Sequence, residues 1–415
     1  MEAYLERAQR IVARIDELAA ISEDQNGITR TFGTKAFIEG RNKVEFWMKE
    51  AGLATKIDSI GNVRGKLLCN QADAKTFVIA SHIDTVVNAG KWDGPLGVTM
   101  GLDLIEQLIK TKTILPFDLE LIAFSDEEGV RFHTTYLGSK VVAGSFDVDL
   151  LEKKDPSAIT LREAIATMDG DICNLEKDAI KSEDCLGYFE IHIEQGPVLY
   201  EKNISTAVVT SIAGQQRIEI TFKGLAGHAG TVPMNMRNDA LCCAAEFIIE
   251  TEKYALENKE NIVATVGKLN IINAASNVIP GEVICSLDVR SADENILNKS
   301  SKHLQNLCKK ISEERNIRSE WDLIQKTAPV TCDSNLVDLL SQAIAQENIQ
   351  TIALVSGAGH DAVPISAIAP VAMLFVRCFK GISHNPLEDV ELKDIEATVK
   401  ISDNFIQNLI KKYNQ

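Results

Sequence analysis

What the chain lacks narrows its options first. No stretch of the 415 residues approaches the run of about 20 apolar residues that a membrane-crossing helix needs. The charged opening Met1-Glu2-Ala3-Tyr4-Leu5-Glu6-Arg7 has no apolar signal-peptide core. Basic residues are short, with 43 Lys and Arg against 59 Asp and Glu and a net charge of -16. Such a surface repels phosphate polymers and acidic lipid, so neither nucleic acid nor membrane is expected as a partner, and an anionic substrate needs a local basic clamp. Cysteine offers no framework either: the nine residues are odd in number and scattered, without a CxxC pair. Reduced thiols and a cytoplasmic setting are the expectation. Internal repeats and low-complexity segments are absent. Histidine is scarce, seven in all, so the places where it falls carry information.

Three of the seven stand at or just past apolar, strand-like runs. Phe77-Val78-Ile79-Ala80-Ser81 ends in His82-Ile83-Asp84, Tyr188 to Ile191 leads into His192-Ile193-Glu194-Gln195-Gly196, and Val371 to Val376 precedes Gly381-Ile382-Ser383-His384. A fourth run, Leu119 to Phe124, closes on Ser125-Asp126-Glu127-Glu128-Gly129, and Asp93 lies in the Gly/Pro turn Trp92-Asp93-Gly94-Pro95. One such His alone is more often a satisfied core residue than a ligand. Several at strand ends, where α/β sheets bind ligands, favour a site. Adjacent acids reinforce the point, because they repel unless a cation or a shared proton compensates them.

Periodicity sets the organisation. Glu2 to Ile21 and Thr34 to Ala51 read as amphipathic helices, Thr55 to Leu68 as a hairpin about Gly61-Asn62, and Val98 to Lys110 as a helix. Strand and helix alternate, which predicts an α/β domain: a mostly parallel sheet with helices on both faces. Arg162 to Cys185 reads as helical and charged. The pattern then changes. Arg217 to Phe222, Ile262 to Ile272 and Glu282 to Val289 alternate, between helices at Asn238 to Tyr254 and Asn295 to Glu314. This predicts a smaller inserted α+β lid or dimerisation domain with an antiparallel sheet. With two cores expected at this length, the division is 1–211 with 325–415 as catalytic domain and 212–324 as the insert, since His384 must rejoin the other ligands.

The strand-end residues make a coherent metal site. Asp93 could bridge two cations with its two oxygens, Glu128 and His384 completing one and His82 and His192 the other, while Asp84 orients the His82 ring from behind. Mixed imidazole and carboxylate ligation with open positions suits Zn2+ or Mn2+, and two such ions lower the pKa of a shared water. Glu127 is left over, placed to act as general base.

These residues resemble the M20 dinuclear metallohydrolases: His82-x-Asp84, Asp93, Glu127-Glu128, His192 and His384 match the five ligands and base of that family. His192, where its peptidases commonly carry Asp, points to the carbamoyl-handling amidohydrolase branch. The runs Arg131 to Ser139, Ile212 to Gln216, Gly227-His228-Ala229-Gly230, Ala275-Ser276-Asn277 and Ser356-Gly357-Ala358-Gly359-His360-Asp361 look most like allantoate deiminases, with His133 a departure where Gln is expected. The resemblance implies two divalent ions per subunit and hydrolysis of a small anionic ureido substrate. It also implies a homodimer in which His228 reaches the partner's site in trans to stabilise an oxyanion. Arg290 is expected to grip a carboxylate and Asn277 the ureido or carboxylate group, with Gln195, Gln215, Gly359 and His360 as further substrate contacts. An N-carbamoyl-L-amino acid hydrolase, an exopeptidase and a metal-free scaffold are the competing readings.

Overall fold

The computed structural model describes residues 3–25, 27–69 and 71–414. Internal contacts divide the chain into two units, Met1–Thr210 with Cys332–Gln415, and Ser211–Thr331. Among the described residues no helix is long and apolar enough to cross a membrane, and all nine cysteines are free.

The first unit opens with helices Tyr4–Ala19 and Lys35–Glu50; Glu2, where the first helix was expected to begin, lies outside the described residues. Thr34 caps the second helix, its hydroxyl accepting from the Phe37 amide. Strands β1 (Ala54–Ile57) and β2 (Val63–Leu67) form the hairpin about Gly61, which takes a φ of 93°. Three parallel strands follow, β3 (Thr76–His82), β4 (Asp118–Phe124) and β5 (Cys185–Ile193), with β3 between the other two. Residues of β3 and β4 are buried throughout, as continuous apolar runs covered on both faces must be. The chain leaves this unit along β6 (Thr206–Ile212).

The second unit carries β7 (Gly214–Lys223), β8 (Gly227–His228), β9 (Val263–Ile271), β10 (Val278–Ile279), β11 (Glu282–Ser291) and β12 (Arg318–Thr327). Four of them make an antiparallel sheet in the order β12-β7-β11-β9, and β8 pairs with β10. Ile218, Ile220 and Phe222 on β7 and Val283, Cys285 and Leu287 on β11 alternate inward, packing with residues of the helices Ala240–Glu257 and Glu294–Glu314 in one core.

The return path is β13 (Val330–Thr331), β14 (Ala353–Ser356) and β15 (Val371–Val376). β15 inserts between β5, which it meets in parallel, and β6, which it meets antiparallel, giving the order β1-β2-β4-β3-β5-β15-β6-β13. The register aligns His82 with Phe124 and His192 with Phe375. The carboxyl ends of β3, β4, β5 and β15 therefore open on one crevice.

Two expectations are corrected. The second unit runs on to Thr331 rather than 324, because β12, which was not foreseen, pairs with β7 from Arg318 to Thr327. Its mixed sequence hides it, as an edge strand with exposed positions needs no clean alternation. The stretch from Arg162 to Cys185 is helical only over Leu161–Thr167, with short 3-10 turns afterwards. Asp169 there takes a left-handed φ of 60°, and a Cβ on Gly170 would lie 2.5 Å from the Ser59 carbonyl oxygen, so the chain turns where a helix would continue.

Candidate active site

His82 ends β3 and His192 lies near the end of β5. Their Nδ1 atoms are each 3.0 Å from a backbone carbonyl oxygen, that of Asp84 and that of Ile193 respectively. A hydrogen bond to a carbonyl requires the proton on Nδ1, so the neutral rings direct bare Nε2 lone pairs inward. Those two nitrogens are 3.4 Å apart, and Asp93 Oδ1 lies 3.5 Å from the first and 3.1 Å from the second. Three electron-rich atoms facing one another repel unless a positive charge sits among them. Asp93 Oδ1 is also buried without a hydrogen-bond partner, as suits a metal-ligating oxygen.

A second group adjoins the first through the same carboxylate. His384 Nε2 is 3.3 Å from Asp93 Oδ2 and 3.3 Å from Glu128 Oε1. Asp93 and then Glu128, as hydrogen-bonding acids, push the His384 imidazole up to about 10, a measure of how strongly this corner attracts positive charge. Ligand atoms of His82, Asp93 and His192, and those of Asp93, Glu128 and His384, each lie within 4.8 Å of one another. The donor set fits two divalent cations sharing Asp93, with imidazole and carboxylate ligands of the kind zinc and manganese accept.

The loops that carry these groups are tightly built. Gly94 has a φ of 84°, and a Cβ there would stand 2.5 Å from the His82 ring; only glycine lets the Asp93 turn pass so close before helix Pro95–Lys110 begins. After β4, the amides of Glu127 and Glu128 donate to the two oxygens of Asp84, at 3.0 and 3.1 Å. Asp84 holds the His82 ring through its carbonyl, and its carboxylate stands 3.5 Å from the same Nδ1. The carboxylate fastens the acidic loop. Asn62 holds the loop's start, accepting from the Ser125 amide at 3.0 Å while donating to Gly138 O and Asp58. His384 and Gln195 both adopt left-handed backbone, with φ of 55° and 56°, strain of the sort that surrounding structure must enforce.

Glu127 is 8% exposed. Burial, with repulsion from Glu128, Asp361 and Asp84, pushes its carboxyl well above the usual carboxylate range despite the opposing pull of His82. A carboxylate whose proton affinity is raised beside a cation site is suited to take and hold a proton.

Gln195 donates to Asp93 Oδ2 at 2.7 Å, so it stands at the site's edge. His360 does not. It is 1% exposed, hydrogen-bonds Ser356 Oγ at 2.8 Å and packs its ring edge-on against His192 with centroids 4.6 Å apart. In this position it packs against the His192 ring from the buried side. Gly359 makes room for Tyr136, since a Cβ there would fall 1.7 Å from the tyrosine hydroxyl. Sequence reasoning missed Ser383, which donates to Asp93 Oδ2 at 2.6 Å, and also Asn62 and Glu388. Ser383 alone carried a signal, being next to His384.

Residues 78–408 match peptidase family M20/M25/M40. The chain belongs to that family. It is 37% identical to allantoate deiminase 2 of Glycine max, over 96% of this chain and 89% of that protein. It is 35% identical to the N-carbamoyl-L-amino-acid amidohydrolase of Pseudomonas sp. strain NS671, over 95% and 96%. Among solved structures, an amidase of the hydantoinase/carbamoylase family from Burkholderia multivorans superposes with a TM-score of 0.90 at 32% identity, covering 97% of each chain. This M20 chain is accordingly a hydrolase.

On the second unit, His228 lies on β8 with its Nδ1 accepting from the Gly230 amide at 3.0 Å. That bond leaves the ring proton on Nε2 and makes the exposed edge of the ring a donor. β8 pairs with β10 at Val278, and the Ala229 amide donates to Asn277 O at 2.9 Å, so His228 and Asn277 are neighbours. Arg290 and Gln215 pair across β11 and β7, and both side chains donate to Asp288.

Proposed function

We propose that this M20 hydrolase is a metal-dependent amidohydrolase that cleaves a terminal carbamoyl C–N bond, with allantoate as substrate and ammonia and carbon dioxide released. The observation that carries the reading is the pair of ligand groups sharing Asp93, with the buried acid Glu127 beside them, its carboxylate within 4.8 Å of the ligand atoms of His82 and Glu128. The 37% identity to an allantoate deiminase over 96% of the chain supports the substrate.

Two ions held by His82, His192, Asp93, Glu128 and His384 supply Lewis acidity and an activated water when bound. Glu127 takes the proton released in the attack and returns it to the departing nitrogen. His228, contributed in trans within a homodimer, donates from Nε2 to the developing oxyanion. Arg290 and Asn277 hold the substrate carboxylate and ureido group, with Gln195 and Gln215 as further contacts. The working compartment is the cytoplasm.

The second reading is an N-carbamoyl-L-amino acid hydrolase, favoured by the 35% identity to the Pseudomonas enzyme. Ammonia release from zinc- or manganese-loaded protein with allantoate tests the proposal against parallel assays of N-carbamoyl-L-amino acids, ureidoglycolate and a dipeptide. Turnover of allantoate at a kcat/KM well above the others supports it; preference for a carbamoyl amino acid moves the assignment to the second reading, and preference for the dipeptide overturns both.

A further inference from the structure

Asp93 and His384 are on loops, one in the turn before helix Pro95–Lys110 and the other after β15, and loops hold their residues less firmly than strands do. Several side chains join the two, and one of them, Glu388, reaches the backbone of the Asp93 turn. Glu388 is 4% exposed. Its Oε1 accepts the Trp92 amide at 2.7 Å and the Asp93 amide at 3.0 Å, and its Oε2 lies 3.3 Å from Ser383 Oγ. Ser383, next to His384, donates at 2.6 Å to Asp93 Oδ2. The chain has cleared space for this carboxylate: a Cβ on Gly90 would stand 2.3 Å from Glu388 Cβ and 2.5 Å from Oε1.

We propose that Glu388 is a positioning residue that locks the Asp93 turn to the His384 loop and so sets how tightly the cation between Asp93, Glu128 and His384 is held. This rests on the reading of those three residues as a metal site. Buried N–H groups at Trp92 and Asp93 need an acceptor wherever it comes from. An acceptor supplied by the loop that also carries His384 makes the approach of one ligand conditional on the other. Glu388 touches no reacting atom in this scheme; it acts through Asp93 and Ser383.

Titration of metal-free protein with zinc, in competition with a chromophoric chelator, tests the proposal alongside thermal unfolding of the same metal-free samples. Outer partners of metal ligands typically account for roughly 10–100-fold in affinity. Glu388→Ala and Gly90→Ala should each weaken one of the two zinc equivalents by about that factor, while the other changes less. Glu388→Gln keeps an oxygen for the two amides and an NH2 for Ser383, and should restore most of the affinity. Wild-type affinity for both equivalents in folded Glu388→Ala overturns the proposal. So does a lowered melting temperature with unchanged zinc binding, and so does failure of both alanine variants to fold, since either makes Glu388 a determinant of the fold alone. If wild-type protein binds no zinc, the metal reading itself fails. Two tight equivalents in wild type without hydrolysis of any ureido compound would sink the proposed substrate and leave the role of Glu388 standing.

Discussion

Arg290 closes its guanidinium on Asp288, with Nε 3.0 Å from one carboxylate oxygen and Nη2 3.1 Å from the other. Asp288 thereby fixes the orientation of the guanidinium, in a protein of net charge -16, in which an anion can be held only by focused donors. A charge-assisted contact of this kind is worth roughly 1.5–3 kcal/mol, so Arg290→Ala should lower kcat/KM for allantoate by about 10- to 10²-fold. Arg290→Lys should recover little, because a point charge cannot reproduce the planar fork. An allantoate analogue with a neutral amide in place of the carboxylate should be indifferent to both changes. Equal turnover of acid and amide by wild type would show that the carboxylate is not what Arg290 reads.

The adjacent acids divide the labour. Glu127→Gln should retain both metal equivalents while kcat falls by ~10²–10⁴ or more, the range of a general base. Glu128→Gln should lose metal from the Asp93 and His384 side. Elemental analysis of the two purified variants, read beside their kcat, decides the matter, and matched metal loss in both would remove the distinction.

Assembly is open to a mixing experiment. Inactive His228→Ala and inactive Glu127→Gln, combined under conditions in which subunit exchange has been verified, should regain activity, because one of the two sites in a mixed dimer then receives both intact groups. A verified heterodimer that stays silent would place His228 in its own chain's site or in none.

Gly94 offers a steric test. With its φ of 84° and the His82 ring 2.5 Å from where a Cβ would be, Gly94→Ala must displace either the turn or the ligand. Strain of this sort costs about 1–3 kcal/mol. Weakened zinc binding should accompany the lowered unfolding temperature; intact binding at wild-type stability would mean that the turn yields freely.

Asp58 gives the fold a pH dependence of its own. Burial, opposed by Arg64 and the hydrogen bonds from Asn62, raises its carboxyl to about 6, against about 3.9 for an unfolded Asp. The folded state therefore keeps a proton that the unfolded state has released. Its contribution is fully present below about pH 4 and is lost as pH rises through about 6, a difference of ~3 kcal/mol at most. Urea unfolding between pH 4 and 7 should show a falling contribution in wild type that Asp58→Asn removes. Parallel curves for the two proteins would assign the proton elsewhere.

His82, Asp93, Glu127, Glu128, His192 and His384 were legible because each sits where a recognisable apolar run or Gly/Pro turn stops, and the structure gathers them at the carboxyl ends of β3, β4, β5 and β15. Glu388 and Asn62 were not legible. Each is an ordinary polar residue in a turn, and only the folded distance to Trp92 and Asp93, or to Ser125, gives it a task. The packing of the His360 ring against His192 was likewise not legible, because it joins residues 168 positions apart in the chain. Strand β12 escaped because an edge strand beside a well-formed partner can be held by the backbone ladder alone.

The place of β15 also bears on how the protein is made. It is the last strand to leave the ribosome and it belongs between β5 and β6, which are synthesised before the whole of the second unit. Until residue 376 has emerged, the growing chain has a gap in the middle of its largest sheet, with two strand edges unpaired. His384 follows only eight residues later. The nascent enzyme would therefore acquire the last of its proposed metal ligands almost at the moment its sheet closes, and a chain stopped short of β15 would lack that ligand and be prone to stick to its neighbours.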